Sequence, residues 1–435
     1  MWQAITQYKS SIDYKKAKTA FDYYRRKNVT IRQYQKLLYT LSGQAVPDNY
    51  SANYKLANNF FQLFTKQEVS HLLGNGVNFN NEDTKKRLGG ALFDNQIFRA
   101  ALAAVWGGVS FCFFNVDRVD VFKATEFVPL YGEEDGGLHA GIRFWQIDEN
   151  KPLRVTLYEE DGYTEYKKDG DEWTIIQPKR AYILNTRTYS ASDVVILEGS
   201  NYPSFPIVPM WANDEHQSEL EGLREKIDAY DLIQSGMCNT IDEASVVYWT
   251  ITNAGGMDDI DLAKFVERMK TVKAAVVDEQ GSTAEAHTLD VPYQANTNTL
   301  QELRDSLYRD AMALDTDKIA NGSVTATAIQ ASYENLTLKC DAFEMCVTDC
   351  IKSVLELAGI DDEPIYKRSK IINNAEDTQT VLAAAQYLDT ETILNHLPFL
   401  SPDEIPEILE RLNREEAERY ETYETEGTDG TVEEI

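Results

Sequence analysis

One long apolar repeat restricts the fold of this chain more than any other feature. Ile329, Tyr333, Leu336, Cys340, Phe343, Val347, Cys350, Val354 and Leu357 follow one another at alternating spacings of 4 and 3. Residues so spaced lie on one face of a helix, and the pattern is a heptad seam. It predicts one helix over 326–358, about 50 Å long, stopped by Gly359. Two readings of the seam are open: pairing with a second chain as a coiled coil, or burial as the spine of a larger helical domain. The flanks carry few charges beyond Glu334, Lys339, Asp341, Glu344 and Lys352. That favours the spine.

The other segments read as follows. Residues 1–43 have few breakers and read as helical. A turn-rich stretch with Pro47 follows, then an apolar-periodic segment from Ala52 to Leu73 closed by Gly74-Asn75-Gly76. A further helix is expected from Glu82 to Ala104. Between Gly107 and Pro209 the period changes to two, which predicts antiparallel sheet. Leu153–Tyr158 and Tyr163–Tyr166 read as a hairpin across Glu159-Glu160-Asp161-Gly162, with a second turn at Asp169-Gly170-Asp171. Gln217 to Ser245 places Leu220, Leu223, Ile227, Tyr230, Ile233, Met237 and Ile241 on one helical stripe. A small α/β insert comes next: strands at Val246–Ile251, Ala274–Val277 and Glu285–Leu289, and a helix at Asp258–Thr271. Asn298 to Leu314 returns as helix. Beyond the long helix, Asp377–Leu388, Thr390–Leu397 and a segment from Ser401 to Tyr423 read as a separate helical unit, and Gly427–Ile435 as disordered.

Much chemistry is missing. No Gly precedes a Lys, so there is no Walker A phosphate loop. There is no HExxH and no GxSxG. The five histidines lie far apart, and the five cysteines form no CxxC pair. Cys346 and Cys350 would share a helix face, yet nothing nearby completes a zinc ligand set, and small apolar core residues are the better reading. Asp258, Asp259 and Asp261 lack the glycine and terminal Glu of a calcium loop and suit a helix N-terminus. A nuclease built on them would need further ligands. No apolar run reaches membrane-spanning length, and the N-terminus is too polar for a signal peptide. The chain reads as a soluble, cytoplasmically made assembly component with no cofactor, metal or enzymatic activity.

The net charge of −29 is wrong for a protein that grips nucleic acid. It is also uneven. Residues 1–43 hold nine Lys and Arg against two Asp and Glu, and residues 401–435 hold three against thirteen. The two ends suit different neighbours, or are solvated faces that serve solubility.

The order of segments resembles a known family. Asn58-Asn59-Phe60-Phe61 through Val69-Ser70-His71-Leu72-Leu73-Gly74-Asn75-Gly76-Val77 resembles the N-terminal signature of siphophage-type portal proteins of tailed bacteriophages. So does Phe205-Pro206-Ile207-Val208-Pro209-Met210-Trp211-Ala212-Asn213, followed by Ser218-Glu219-Leu220 and Ile227-Asp228-Ala229-Tyr230-Asp231. Thr325 to Leu338, entered through Gly322-Ser323, resembles the start of the family's long helix. The likeness covers roughly residues 20–420.

This resemblance implies a mainly helical α+β portal fold with an antiparallel wing sheet. Residues 1–216 and 326–372 would form the wing. Residues 217–245 and 294–314 would be two stem helices, 246–293 the clip, 315–325 a loop in the central tunnel, 373–423 the crown and 424–435 an acidic disordered tail. Twelve subunits would form a ring at the capsid vertex of the virion, assembled in the host cytoplasm, through which double-stranded DNA passes without sequence-specific binding. Implied partners are the terminase, a head-tail adaptor, and capsid and scaffold proteins. Asp315, Asp317, Lys318, Asn321, Gly322 and Ser323 would form the tunnel loop. Leu220, Leu223, Arg224, Ile227 and Tyr230 would belong to the stem, and Val246, Val247, Tyr248 and Trp249 to the clip. Lys318 would touch phosphate in passing or pair with Asp315 or Asp317. The other reading of the chain is a non-enzymatic coiled-coil scaffold.

Overall fold

A computed structural model describes residues 1–39, 43–49, 51–148, 150–170, 172–189, 194–244, 248–252, 283–287, 293–320, 326–368, 374–397, 400 and 405–414. The chain divides into two compact units. The first holds residues 1–314 and 335–368, the second 315–334 and 369–435.

The first unit opens with helices α1 (Trp2–Ser10), α2 (Ile12–Tyr24) and α3 (Val29–Gln33), and a two-stranded sheet of β1 (Leu37–Tyr39) and β2 (Ala45–Pro47). Residues 1–43 are therefore not one helical run. Ser11 is extended and caps α2 through its side chain, and Arg26 sits at φ +59°, a left-handed conformation that ends a helix. Next come α4 (Phe60–Leu73), β3 (Val77–Phe79), α5 (Glu82–Arg87) and α6 (Ala91–Gly107). The expected helix from Ala52 begins only at Phe60, because residues 51–59 run irregularly along another helix, described below. The helix expected over 82–104 is two helices, because Gly89 and Gly90 take φ +105° and +61°. Such angles suit glycine and break helical geometry.

The sheet region follows the predicted alternation. β4 (Val109–Asn115) and β5 (Arg118–Lys123) join β13 (Ile207–Trp211) in a three-stranded antiparallel sheet. β6 (Phe127–Tyr131), β7 (Leu138–Trp145), β8 (Leu153–Glu159), β9 (Gly162–Asp169) and β10 (Glu172–Arg180) form a five-stranded meander. Glu159 pairs with Gly162, so β8 and β9 are joined by a two-residue turn where the sequence places it. β11 (Ile183–Tyr189) and β12 (Val194–Ser200) pair with each other. α1 covers one face of the meander, setting Ile5 among Val128, Ile142, Phe144 and Val155. Phe111, Phe113, Phe122, Phe127 and Tyr158 pack together between the sheets.

Then come α7 (Arg224–Ala244), the strand pair β14 (Tyr248–Thr252) and β15 (Thr283–His287), and α8 (Tyr293–Asp310). α7 is shorter than the expected 217–245. Residues 213–223 form turns closed by side chains: Gln217 N donates to Asn213 Oδ1, Leu220 N donates to Ser218 Oγ, and Gly222 takes φ +77°. α8 starts at Tyr293 and ends at Asp310, not Leu314. Met312 at φ +52° turns the chain, and Ala313 N donates to Tyr308 O. The predicted helix at 258–271 and strand at 274–277 lie outside the described residues.

The long helix α10 spans Ala326–Ala358, as its heptads require, and Gly359 follows at φ +61°. It is preceded by a short helix, α9 (Thr316–Ala320), so part of the expected tunnel loop is helical. Within the first unit, Phe343, Val347, Cys350 and Val354 are buried among Val69, Leu72, Ile97, Ala100 and Ala104 of α4 and α6. The seam is thus the spine of the chain's own core. β16 (Pro364–Tyr366) pairs with β3. Cys112, Cys340 and Cys350 are buried in this unit.

The second unit contains α9, the first turns of α10, α11 (Asn374–Ala384) with a 3₁₀ turn after it, α12 (Thr390–His396) and a helix over 405–414. Asp389 caps α12, accepting from Thr392 N.

Candidate functional site

The residues singled out at 220–230 converge where α7 begins. Leu220 and Leu223 are buried in the turns before it, and Ile227 is fully buried on it. All three join Ala20, Tyr23, Phe60, Phe64 and Leu307 in one cluster. Tyr230 meets Phe60 edge-on at 4.9 Å between ring centroids. Arg224 lies beside Asp228, at 3.7 Å, and over the Tyr23 ring. Lys226 reaches Ser306 Oγ at 2.7 Å and also pairs with Asp310. The start of α7 therefore adjoins the end of α8, and the two helices run antiparallel.

Further along α7 the expected apolar stripe does not stay buried. Ile233 and Met237 are half-buried and Ile241 is exposed. The face that is buried there is polar. Asp231, Ser235 and Asn239 stand four residues apart, so they stack up one side of the helix. They receive the backbone of residues 54–58, two residues at a time. Asn58 N donates to Asp231 Oδ1 at 3.0 Å, Leu56 N to Ser235 Oγ at 3.0 Å and Tyr54 N to Asn239 Oδ1 at 2.7 Å. Two extended residues advance about 6.6 Å and four helical residues about 6 Å, so the registers match. Asn28 Nδ2 also donates to Asp231, and Tyr23 and Thr30 hydroxyls donate to Asp228. Burial raises the Asp231 pKa against the lowering effect of the Asn28 and Asn58 hydrogen bonds. The ladder escaped the sequence reading, although three small polar residues at a spacing of four were visible.

A buried ion cluster lies where α7 begins and α8 ends. Lys339 Nζ of α10 is 2.9 Å from Glu68 Oε2 of α4 and 2.9 Å from Glu219 Oε2, just before α7. It also reaches Ala311 O, past the end of α8, at 3.4 Å. Burial lifts the Glu68 carboxyl to about 7, with Lys339 opposing and Glu219 reinforcing the rise. Burial alone would lower the Lys339 pKa, but the two carboxylates outweigh it and raise it. Elsewhere, His139 is exposed between Asp135 and Glu160, 2.7 Å from each, and its pKa is raised by those two hydrogen bonds, Glu160 first.

The other named residues are dispersed. Tyr248 and Trp249 lie on β14, opposite His287 and Ala286. Asp317 N donates to Asp315 Oδ1 at 3.2 Å, and Asp317 and Lys318 sit on α9. Val246, Val247, Asn321, Gly322 and Ser323 lie outside the described residues, as do Asp258, Asp259 and Asp261.

A family model described as phage portal protein, SPP1 Gp6-like, matches residues 4–422. The chain belongs to this family. It is a phage portal subunit, a structural component of the virion at the capsid vertex. It is similar to the portal protein of Clostridium phage phiCD119, 23% identical over 393 residues that cover 82% of this chain and 84% of the relative. It is also similar to the portal protein of Bacillus phage SPP1, 21% identical over 415 residues, covering 88% and 80%. A chain in the neck of a native gene transfer agent particle matches with a TM-score of 0.43 at 11% identity, covering 79% of this chain and 91% of that one. A chain in the virion of the native particle gives 0.42 at 13%, covering 81% and 89%.

Proposed function

We propose that this portal subunit assembles into a closed ring of twelve around a channel for DNA packaging and ejection. In this reading residues 1–216 and 326–372 are the wing, α7 and α8 the stem, 246–293 the clip, 315–325 the tunnel segment and 373–423 the crown. The terminase and later a head-tail adaptor dock at the clip, and capsid and scaffold proteins meet the wing. Assembly takes place in the host cytoplasm.

The family membership carries the reading, and the antiparallel α7–α8 pair supports it. Two such helices side by side present different flanks to two neighbours, and a heterologous contact of this kind closes into a ring. The net charge of −29 supports a role in which DNA slides rather than binds, because affinity for duplex DNA comes from cations at phosphates. The scaffold alternative loses its basis. The seam from Leu336 to Leu357 is spent inside the chain's own core and offers no face for a coiled-coil partner.

Electron microscopy and native mass measurement of the purified chain test the proposal. Annular particles near twelve times 49.4 kDa are expected. A chain that stays monomeric at every concentration overturns it.

A further inference from the structure

The loop between β6 and β7, Gly132-Glu133-Glu134-Asp135-Gly136-Gly137, is rich in glycine and acid. Its own hydrogen bonds close it: Gly132 N donates to Gly137 O at 2.8 Å, and Gly136 N to Gly132 O at 3.1 Å. Asp135 Oδ1 accepts from Gly137 N at 3.0 Å, and its Oδ2 is 2.7 Å from His139 Nε2. His139 lies near the start of β7. Gly141 of β7 pairs with Tyr158 of β8, and the same register carried two residues further sets His139 opposite Glu160 in the β8–β9 turn. Glu160 Oε1 is 2.7 Å from His139 Nδ1. One imidazole thus spans two turns of the meander.

Two glycines leave the room for it. A Cβ added at Gly132 would stand 2.6 Å from Asp135 Oδ1 and 2.8 Å from His139 Cδ2. One at Gly137 would stand 2.9 Å from Asp135 Oδ2 and 3.2 Å from His139 Nε2. Neither glycine takes the left-handed φ that favours the residue, so what it supplies here is space for a close approach.

A neutral imidazole has one N–H and one lone pair, and only the imidazolium donates from both nitrogens. The arrangement therefore requires the proton. Without it, one ring nitrogen turns a lone pair on a carboxylate, in a loop that also carries Glu133 and Glu134. The carboxylates on either side of Glu160, those of Glu159 and Asp161, are held instead by Lys179 of β10, at 2.9 and 2.5 Å.

We propose that His139 is a pH-sensitive latch, which as an imidazolium fastens the β6–β7 loop to the β8–β9 turn and on losing its proton frees the loop. Asp135, His139 and Glu160 are all exposed, so the proton exchanges directly with solvent. The hydrogen bonds to Glu160 and then Asp135 raise the His139 pKa above its ordinary 6.5. The latch is closed below that ordinary value and opens as pH rises through the raised one. It acts within one chain and does not depend on the ring.

Histidine C2-proton exchange, read by mass spectrometry on the full chain from about pH 5 to 9, follows the proton itself. His139 should titrate above 6.5, and Asp135→Asn and Glu160→Gln should each lower its midpoint. Asp135→Asn keeps an oxygen for Gly137 N, so it removes the charge and leaves the loop closed. Amide exchange over 132–137, corrected for the intrinsic effect of pH, should quicken about two- to fivefold between about pH 5.5 and 8.5, the range that one or two exposed ion pairs supply. His139→Gln should exchange at the faster rate at both pH values. A midpoint at or below 6.5 that neither neighbour moves overturns the latch. So does amide exchange over 132–137 that is the same in His139→Gln and the wild type at both pH values.

Discussion

Lys339 is flanked by two carboxylates, Glu68 and Glu219, and only one positive charge serves both. Glu68 is 2% exposed, so its ionised form rests on that single counterion. Removing one partner of a buried pair leaves the other charge uncompensated, which costs about 3–5 kcal/mol. Lys339→Met should lower the stability of the chain by that order in a denaturant titration, whereas a surface Lys→Met should do almost nothing. The pH dependence follows from the raised Glu68 pKa. Between the ordinary carboxylate value near 4.5 and about 7, the folded state keeps a proton that the unfolded state has lost. Stability from this group is therefore full below the lower value and falls as pH rises through the window, by on the order of 3 kcal/mol. Above about 7 it is flat. Glu68→Gln should flatten that part of the stability-pH profile. A variant with the wild-type slope would show that Glu68 is ionised throughout.

The ladder on α7 fastens the 54–58 segment by side-chain acceptors instead of a neighbouring strand. Each rung is one hydrogen bond, worth about 1 kcal/mol net. Ser235→Ala should speed hydrogen exchange at the Leu56 amide and its neighbours while global unfolding shifts by about 1 kcal/mol or less. Asp231→Ala should do more, since Asn28 and Asn58 both lose an acceptor. Unchanged exchange at 54–58 in both variants would mean the segment is held by something else. The elements legible in the sequence were those with a long period: α10 through its heptads, the β8–β9 hairpin through its turn, and the onset of sheet after Gly107. What failed was local. The break at Gly89–Gly90, the left-handed Arg26 and Met312, and the turns at 213–223 depend on single backbone angles that apolar periodicity does not record. Helix α7 was half legible. Leu220, Leu223 and Ile227 are core as their spacing implies, but beyond them the buried side of α7 is hydrogen-bonded polar residues, which a search for apolar stripes passes over. The β1–β2 hairpin was hidden for the related reason that Leu37, Leu38 and Tyr39 are exposed and leave no buried stripe to read.

Charge sets the terms on which whole subunits meet. Each copy carries −29 overall while residues 1–43 carry a surplus of seven positive charges. At ionic strength near 0.01 M the screening length is about 30 Å, comparable to the dimensions of a subunit, so identical copies repel as whole bodies. Near 0.15 M it shrinks to about 8 Å. The long-range repulsion is then mostly screened, while short-range apolar contacts between copies are not weakened. The ring fraction should therefore rise between about 0.01 and 0.15 M salt, the opposite of an assembly held together by net opposite charges. Sedimentation velocity across the salt series checks this. The same argument separates the proposed ring from a DNA-binding one: duplex DNA should not be retained by assembled particles at about 0.15 M salt in a filter-binding assay, since retention requires a cationic surface that outweighs a backbone bearing one charge per ~1.7 Å. Tight, salt-sensitive retention would mean that the positive charge of the chain lines the channel, and the sliding mechanism would fail with it.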